Sequence, residues 1–167
     1  MDAELITLSA EVGAALSAGK LVLACAESCT GGWISEIVTA MSGSSGWFDC
    51  GFVTYSNAAK QAMLGVGAET LKDHGAVSEE TALAMAQGAL AHSVAHVALA
   101  VTGIAGPGGG SPGKPVGTVC FAWCRVGQAG FSNTCHFSGD REAIRRQTVI
   151  YSLRGLLALL DGAKTVP

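Results

Sequence analysis

Between Thr81 and Gly113 the chain carries no aspartate, glutamate, lysine or arginine. A stretch that long without charge either crosses a membrane or is hidden inside a fold. Gln87, Gly88, His92, Ser93 and His96 interrupt its apolar run, and glycine-rich sequence ends it near Gly103. It therefore falls short of the ~18–20 continuous apolar residues that a span needs. Two buried elements in succession explain it better. Ser78 is placed to cap a helix running to about Ser93, with Glu79 and Glu80 favourable at its positive end. His96 to Val101 then reads as a uniformly apolar strand, the pattern of a sheet centre covered on both faces. The expectation is a soluble α/β chain with no membrane association.

Composition narrows the function classes. The 167 residues suffice for one domain with a proper core, so residues 1–167 are read as a single domain. Ten basic and thirteen acidic residues give a net charge of −3 with no basic stripe, which disfavours nucleic-acid binding. Six cysteines fall at 25, 29, 50, 120, 124 and 135. None makes the C-x-x-C spacing of zinc or redox sites, so reduced, mostly buried thiols in a cytoplasmic protein are expected, with no metal. The acidic start, Met1-Asp2-Ala3-Glu4, is unlike a secretory signal. Glycine fills 23 positions, well above the usual ~7%, implying tight turns or backbone brought close to a ligand.

The remaining pattern supplies the other elements. Leu5, Leu8, Val12 and Leu16 recur at helical spacing, with Gly19 as C-terminal cap. Leu21 to Ala26 reads as a buried strand, Glu27 to Gly32 as a sharp turn, and Trp33 to Met41 as helix. Asp49 to Tyr55 reads as a second strand, followed by a short helix from Asn57 to Leu64 stopped by Gly65, then a loop containing Gly75. After the long turn from Thr102 to Pro115, Gly117–Val126 and Gly130–Ser138 form a hairpin, and Asp140 caps a closing helix over Arg141–Leu160. Alternating strands and helices followed by a hairpin predict a three-layer α/β/α sandwich around a mixed, mostly parallel sheet with a late antiparallel hairpin.

Open α/β sheets bind ligands beyond the carboxyl ends of their strands, so the strand-end loops are where chemistry belongs. In Ala26-Glu27-Ser28-Cys29-Thr30-Gly31-Gly32 a nucleophile on the strand-to-helix turn is exposed, and the following helix N-terminus offers N–H groups for an oxyanion. Gly31 and Gly32 let a substrate approach the backbone. Ser28 and Thr30 are equally placed to cap that helix, and Cys29 is a rival nucleophile if a cation lowers its pKa. In Thr54-Tyr55-Ser56-Asn57-Ala58-Ala59-Lys60, a lysine beside a strand-end cleft becomes a base if desolvated, and otherwise faces solvent. Thr102, Gly103 and Gly106 open a loop whose N–H groups can turn toward a phosphate. Arg141 and Arg145 lie one helical turn apart, on one face, and either suit an anion or are ordinary helix-surface arginines.

Ala26–Gly32, Gly51-Phe52-Val53-Thr54-Tyr55-Ser56-Asn57, Gly75-Ala76-Val77-Ser78, Gly103-Ile104-Ala105-Gly106-Pro107, Lys114-Pro115-Val116-Gly117-Thr118 and Gly139-Asp140-Arg141 together resemble the CinA carboxy-terminal-domain family, in order over nearly the whole chain. The resemblance implies a serine amidase that converts nicotinamide mononucleotide to nicotinate mononucleotide and ammonia. It assigns Ser28 as nucleophile, with Lys60 and Tyr55 managing its proton, and requires no metal; no cofactor is expected, and Thr30, Gly31 and Gly32 fall on the substrate side by their place on the turn. It also implies a homo-oligomer. Ala58 and Gly113 stand where the family often has glutamate, which bears on loop contacts rather than on the reaction. A non-catalytic nucleotide-sensing module and an amidase for another small amide are the alternatives.

Overall fold

The computed structural model describes residues 2–167. Its first helix, α1 (Ala3–Gly19), starts where the Asp2 carboxylate accepts the amides of Glu4 and Leu5, and it buries Leu5, Leu8, Val12 and Leu16. Lys20, not Gly19, takes the left-handed conformation that ends it, at φ 53°. The sheet comprises β1 (Leu23–Glu27), β2 (Phe48–Val53), β3 (Val97–Gly103), β4 (Thr118–Arg125) and β5 (Phe131–His136), in the order β2-β1-β3-β4-β5. β1 runs parallel to both β2 and β3, while β4 and β5 are antiparallel. The sequence expectation of a parallel core with a late hairpin holds.

Between the strands lie α2 (Trp33–Thr39), a 3-10 turn at Ser44–Gly46, α3 (Asn57–Leu64), α4 (Ala68–His74) and α5 (Glu79–Ala91), and α6 (Arg141–Leu160) closes the chain. Ser56, Ser78 and Asp140 cap α3, α5 and α6 by accepting the amides of Ala59, Thr81 and Ala143. The loop expected around Gly75 instead contains α4. It is seven residues long, has no side-chain cap and buries only Leu71, so it leaves no apolar periodicity to read. The helix expected to reach Met41 ends at Thr39.

Helices cover both faces of the sheet, and the strands alternate between them. Val97, Leu99 and Val101 of β3 join Val119, Phe121 and Trp123 against α1, α2 and α6. The intervening Ala98 and Ala100, with Cys120, Ala122 and Cys124, pack against Met85 and Ala86 of α5 and Leu64 of α3. One face is thus bulky and the other small, so α5 and α3 sit close to the strands. Gly88 of α5 faces the Leu64 carbonyl so closely that a Cβ there would collide with it. That close approach places α3, and with it Lys60, against the sheet beside the carboxyl end of β1.

Candidate active site

The site begins where β1 ends. Glu27 is fully buried, with its carbonyl accepting the Thr54 amide at 2.8 Å, so the ends of β1 and β2 stay paired. The Ser28 amide donates to Val101 of β3 at 3.1 Å. Gly31 and Gly32 then take positive φ values of 61° and 102°, a conformation costly for residues with a Cβ, and the chain turns into α2.

No side chain of the Ser28–Gly32 turn caps α2; Gly32 is its N-cap. Glu27 does the work from the strand. Its carboxylate accepts from Thr30 Oγ1 at 2.6 Å, from Ser35 Oγ at 2.8 Å, and from the amides of Gly32, Ile34 and Ser35 at 2.8–3.1 Å. This corrects two sequence expectations. Ser28 is released from any capping role, and the N-terminus of α2 is not free to receive an oxyanion. The Gly31 amide donates to Ser28 and the Trp33 amide to Thr30. Among the described residues, Cys29 and Thr30 keep the amides of this turn that have no acceptor on another residue. Sequence reasoning gave Glu27 no role, although a lone acid closing an apolar strand ahead of Gly-Gly was a readable signal.

Lys60 sits in the first turn of α3 and is 2% exposed, so the solvent-facing alternative fails. Its Nζ lies 3.1 Å from Ser28 Oγ and donates to the Thr54 carbonyl at 2.9 Å. Burial pulls the Lys60 pKa below the ordinary lysine value, which favours the neutral amine that a base must be. Cys29 is in the opposite condition. Burial in the bulky core pushes its thiol up to about 12, so it holds little thiolate at neutral pH.

Tyr55, expected to serve the same proton, points elsewhere. It is exposed, and its hydroxyl accepts from Arg141 Nη2 at 2.9 Å; the Thr54 carbonyl is what orients Lys60. Arg141 also donates to the Gly106 carbonyl at 2.8 Å. Arg145 donates to the carbonyls of Cys29 and Thr30 at 3.1 and 2.8 Å, with its guanidinium 5.4 Å from the Trp33 ring centre. Arg145 therefore clamps the Ser28–Gly32 turn, while Arg141 ties Tyr55 to the loop at Gly106. Each guanidinium has five N–H donors, so both keep donors to spare. With Thr30, Gly31, Gly32, Trp33, Glu36 and Glu142 they line a cavity of about 620 Å³.

Thr102 and Gly103 do not reach this cavity. The Thr102 hydroxyl donates to the Ala76 carbonyl at 2.8 Å. Gly103 is the last residue of β3, opposite Val119, where a Cβ would collide with that strand. The Ile104 amide is taken by Thr118, and Gly106 presents its carbonyl to Arg141. The start of the glycine-rich loop therefore knits strands together and positions an arginine. Among the described residues no group of three His, Cys, Asp or Glu side chains is placed to hold a metal ion, and no helix is long and apolar enough to cross a membrane.

The family model of the CinA C-terminal domain matches residues 5–160. The nicotinamide-nucleotide amidohydrolase PncC of Escherichia coli K12 is 52% identical over 155 residues, 93% of this chain and 94% of that protein. The protein of the same name from Pseudomonas putida is 53% identical over 92% of this chain and 95% of its own. Among solved structures, the competence/damage inducible protein CihA of Agrobacterium tumefaciens superposes with a TM-score of 0.93 at 46% identity, covering 95% of this chain and 97% of that one.

Proposed function

Since the chain belongs to the CinA C-terminal domain family, we propose that it is an amidohydrolase converting nicotinamide mononucleotide to nicotinate mononucleotide and ammonia, with Ser28 as its nucleophile. The supporting observation is the buried Lys60 amine 3.1 Å from Ser28 Oγ on a strand-to-helix turn. A serine within hydrogen-bond reach of a neutral lysine is an activated nucleophile.

In this reading Ser28 Oγ attacks the carboxamide carbon while Lys60 takes its proton. The negative charge on the former carbonyl oxygen is met by the Cys29 and Thr30 amides, whose donors are already oriented. The Lys60 ammonium returns the proton to the amide nitrogen, the C–N bond breaks, and ammonia leaves. Lys60 then removes a proton from water, which attacks the acyl ester and frees Ser28 and the carboxylate product. Arg141 and Arg145 meet the substrate phosphate from the first turns of α6, and Tyr55 holds Arg141 in place for it.

A sensing module that binds without turnover has no use for a desolvated lysine against a serine, so the catalytic reading is favoured. The working form is proposed to be a homo-oligomer, in keeping with the exposed Val53, Tyr55 and Met63 of the β2–α3 segment; light scattering tests it. For the reaction, ammonia release is measured from nicotinamide mononucleotide beside free nicotinamide, by the wild type and by Ser28→Ala. The nucleotide alone should be turned over, and only by the wild type. Wild-type rates in Ser28→Ala would remove Ser28 from the mechanism, and preference for the free amide would move the substrate class.

A further inference from the structure

Among the described residues, Thr54 Oγ1 is a fully buried side-chain oxygen with no hydrogen-bond partner. Leaving a buried hydroxyl unpaired costs about 1–3 kcal/mol, so its persistence calls for an explanation. The backbone of the same residue is fully used: its amide donates to Glu27 and its carbonyl accepts from Lys60 Nζ. An idle hydroxyl thus belongs to the residue that already orients the candidate base.

The donor count at Lys60 gives that hydroxyl a task. A neutral amine has two N–H groups and a lone pair. In the resting site one N–H meets the Thr54 carbonyl, Nζ lies 3.1 Å from Ser28 Oγ, and the remaining N–H has no acceptor. Once protonated, the amine has three N–H groups in a pocket that leaves it 2% exposed, and a third acceptor is needed. We propose that Thr54 is a positioning residue whose hydroxyl rotates to accept the Lys60 N–H that neither the Thr54 carbonyl nor Ser28 takes, a pairing that strengthens when the amine is protonated. The pairing tightens each time Lys60 takes up the Ser28 proton, because an ammonium N–H binds its acceptor more strongly than a neutral amine does; in the resting site the hydroxyl is idle. The other titratable groups about this point are Glu27 at the end of β1, Cys29 on the turn and Arg145 of α6. Glu27 is saturated by α2, Cys29 stays a thiol and Arg145 is bound to backbone carbonyls, so none of them is the missing acceptor. The catalytic consequence rests on the amidase reading above; the Lys60–Thr54 pairing does not.

Two readouts on Thr54→Val and Thr54→Ser test this. In substrate-free protein carrying carbon-13 at the lysine ε position, the Lys60 resonance is titrated against pH. Removing an acceptor of the ammonium should lower the Lys60 pKa in Thr54→Val by about 1 unit, and Thr54→Ser should restore it. In ammonia release from nicotinamide mononucleotide, kcat of Thr54→Val should fall about 10-fold with KM unchanged and its acid limb moved to lower pH. Thr54→Ala stands in if the valine variant fails to fold. An unmoved Lys60 titration overturns the proposal, whether or not kcat falls. A shifted titration in a protein with no amidase activity upholds the pairing and removes the amidase reading instead.

Discussion

Ser28 and Lys60 are 32 residues apart in sequence, yet the chemistry proposed for them depends on one buried contact. For Lys60 the pH dependence has a definite sign. As the proposed base Lys60 must be neutral, and burial holds its pKa below the ordinary value, so kcat/KM should rise with pH through that lowered pKa and be flat above it. The unfolded chain binds the lysine proton more tightly than the folded one, so between the two pKa values stability rises with pH. Replacing Lys60 with methionine should therefore lower kcat by ~10²–10⁴-fold without lowering Tm, as ammonia release and thermal melts would show. Cys29→Ala, by contrast, should retain catalysis within about 3-fold, because a thiol with a pKa of about 12 is protonated at neutral pH. A loss as large as that of Lys60→Met would reverse the two assignments. At this scale the sequence was only partly legible. Ser28, Lys60, Arg141 and Arg145 were visible as chemistry on strand-end loops and one helix face. That Lys60 is buried, that Tyr55 serves Arg141 and that Glu27 consumes the amides of α2 depend on contacts across the sheet, which residue type and spacing do not encode.

The turn from β1 into α2 is held by one carboxylate, and that dependence is measurable. Glu27→Gln presents an amide group to a set of donors, leaving at least one of them unpaired; the cost should be about 3 kcal/mol, read as a lower midpoint in urea. Activity should fall with it, because the Cys29 and Thr30 amides are carried by the same turn. A second element-scale constraint lies at the other end of the sheet. Trp123 of β4 is stacked on Phe121 and Phe131 and donates from Nε1 to Ser152 at 3.0 Å, with its ring lying directly over Gly155 of α6. Gly155→Ala would raise helix propensity by about 1 kcal/mol but force a methyl group into a held indole. Overpacking of ~1–3 kcal/mol should win, and Tm should drop. α5 and α6, with polar caps and long apolar faces, were readable almost to the residue, and so was α3 from its Ser56 cap and Gly65 stop. α4 was not, since seven residues with one buried leucine leave no period.

Across the whole molecule the charge-free segment proves to be α5 and β3, the helix and central strand around which both layers are organised. The glycine excess divides between turns and close packing. Gly31 and Gly32 bend the Ser28–Gly32 turn, whereas Gly88, Gly103 and Gly155 admit a neighbouring strand or helix, a use that composition cannot distinguish. The scarce charges are concentrated. Arg146 of α6 binds both Asp2 and Glu4, and Arg154 binds Glu4, tying the start of α1 to the last helix. Hydrogen bonding to Arg146 lowers the Asp2 pKa to about 2 from 3.8. A depressed carboxylate contributes stability above its unfolded pKa and loses it as pH falls through the folded value. Arg146→Ala should lower Tm by about 2 °C or less at neutral pH and flatten the acid loss between pH 4 and pH 2.

The central claim is that a serine, activated by a buried lysine, forms the bond to the substrate. Mixing the enzyme with nicotinamide mononucleotide, quenching in acid within milliseconds and sequencing the labelled peptide by mass spectrometry tests that bond itself. The expected result is an acyl ester on Ser28 that is absent from Ser28→Ala, together with loss of ammonia release by that variant. An acyl adduct on Cys29, or undiminished turnover by Ser28→Ala, would contradict it.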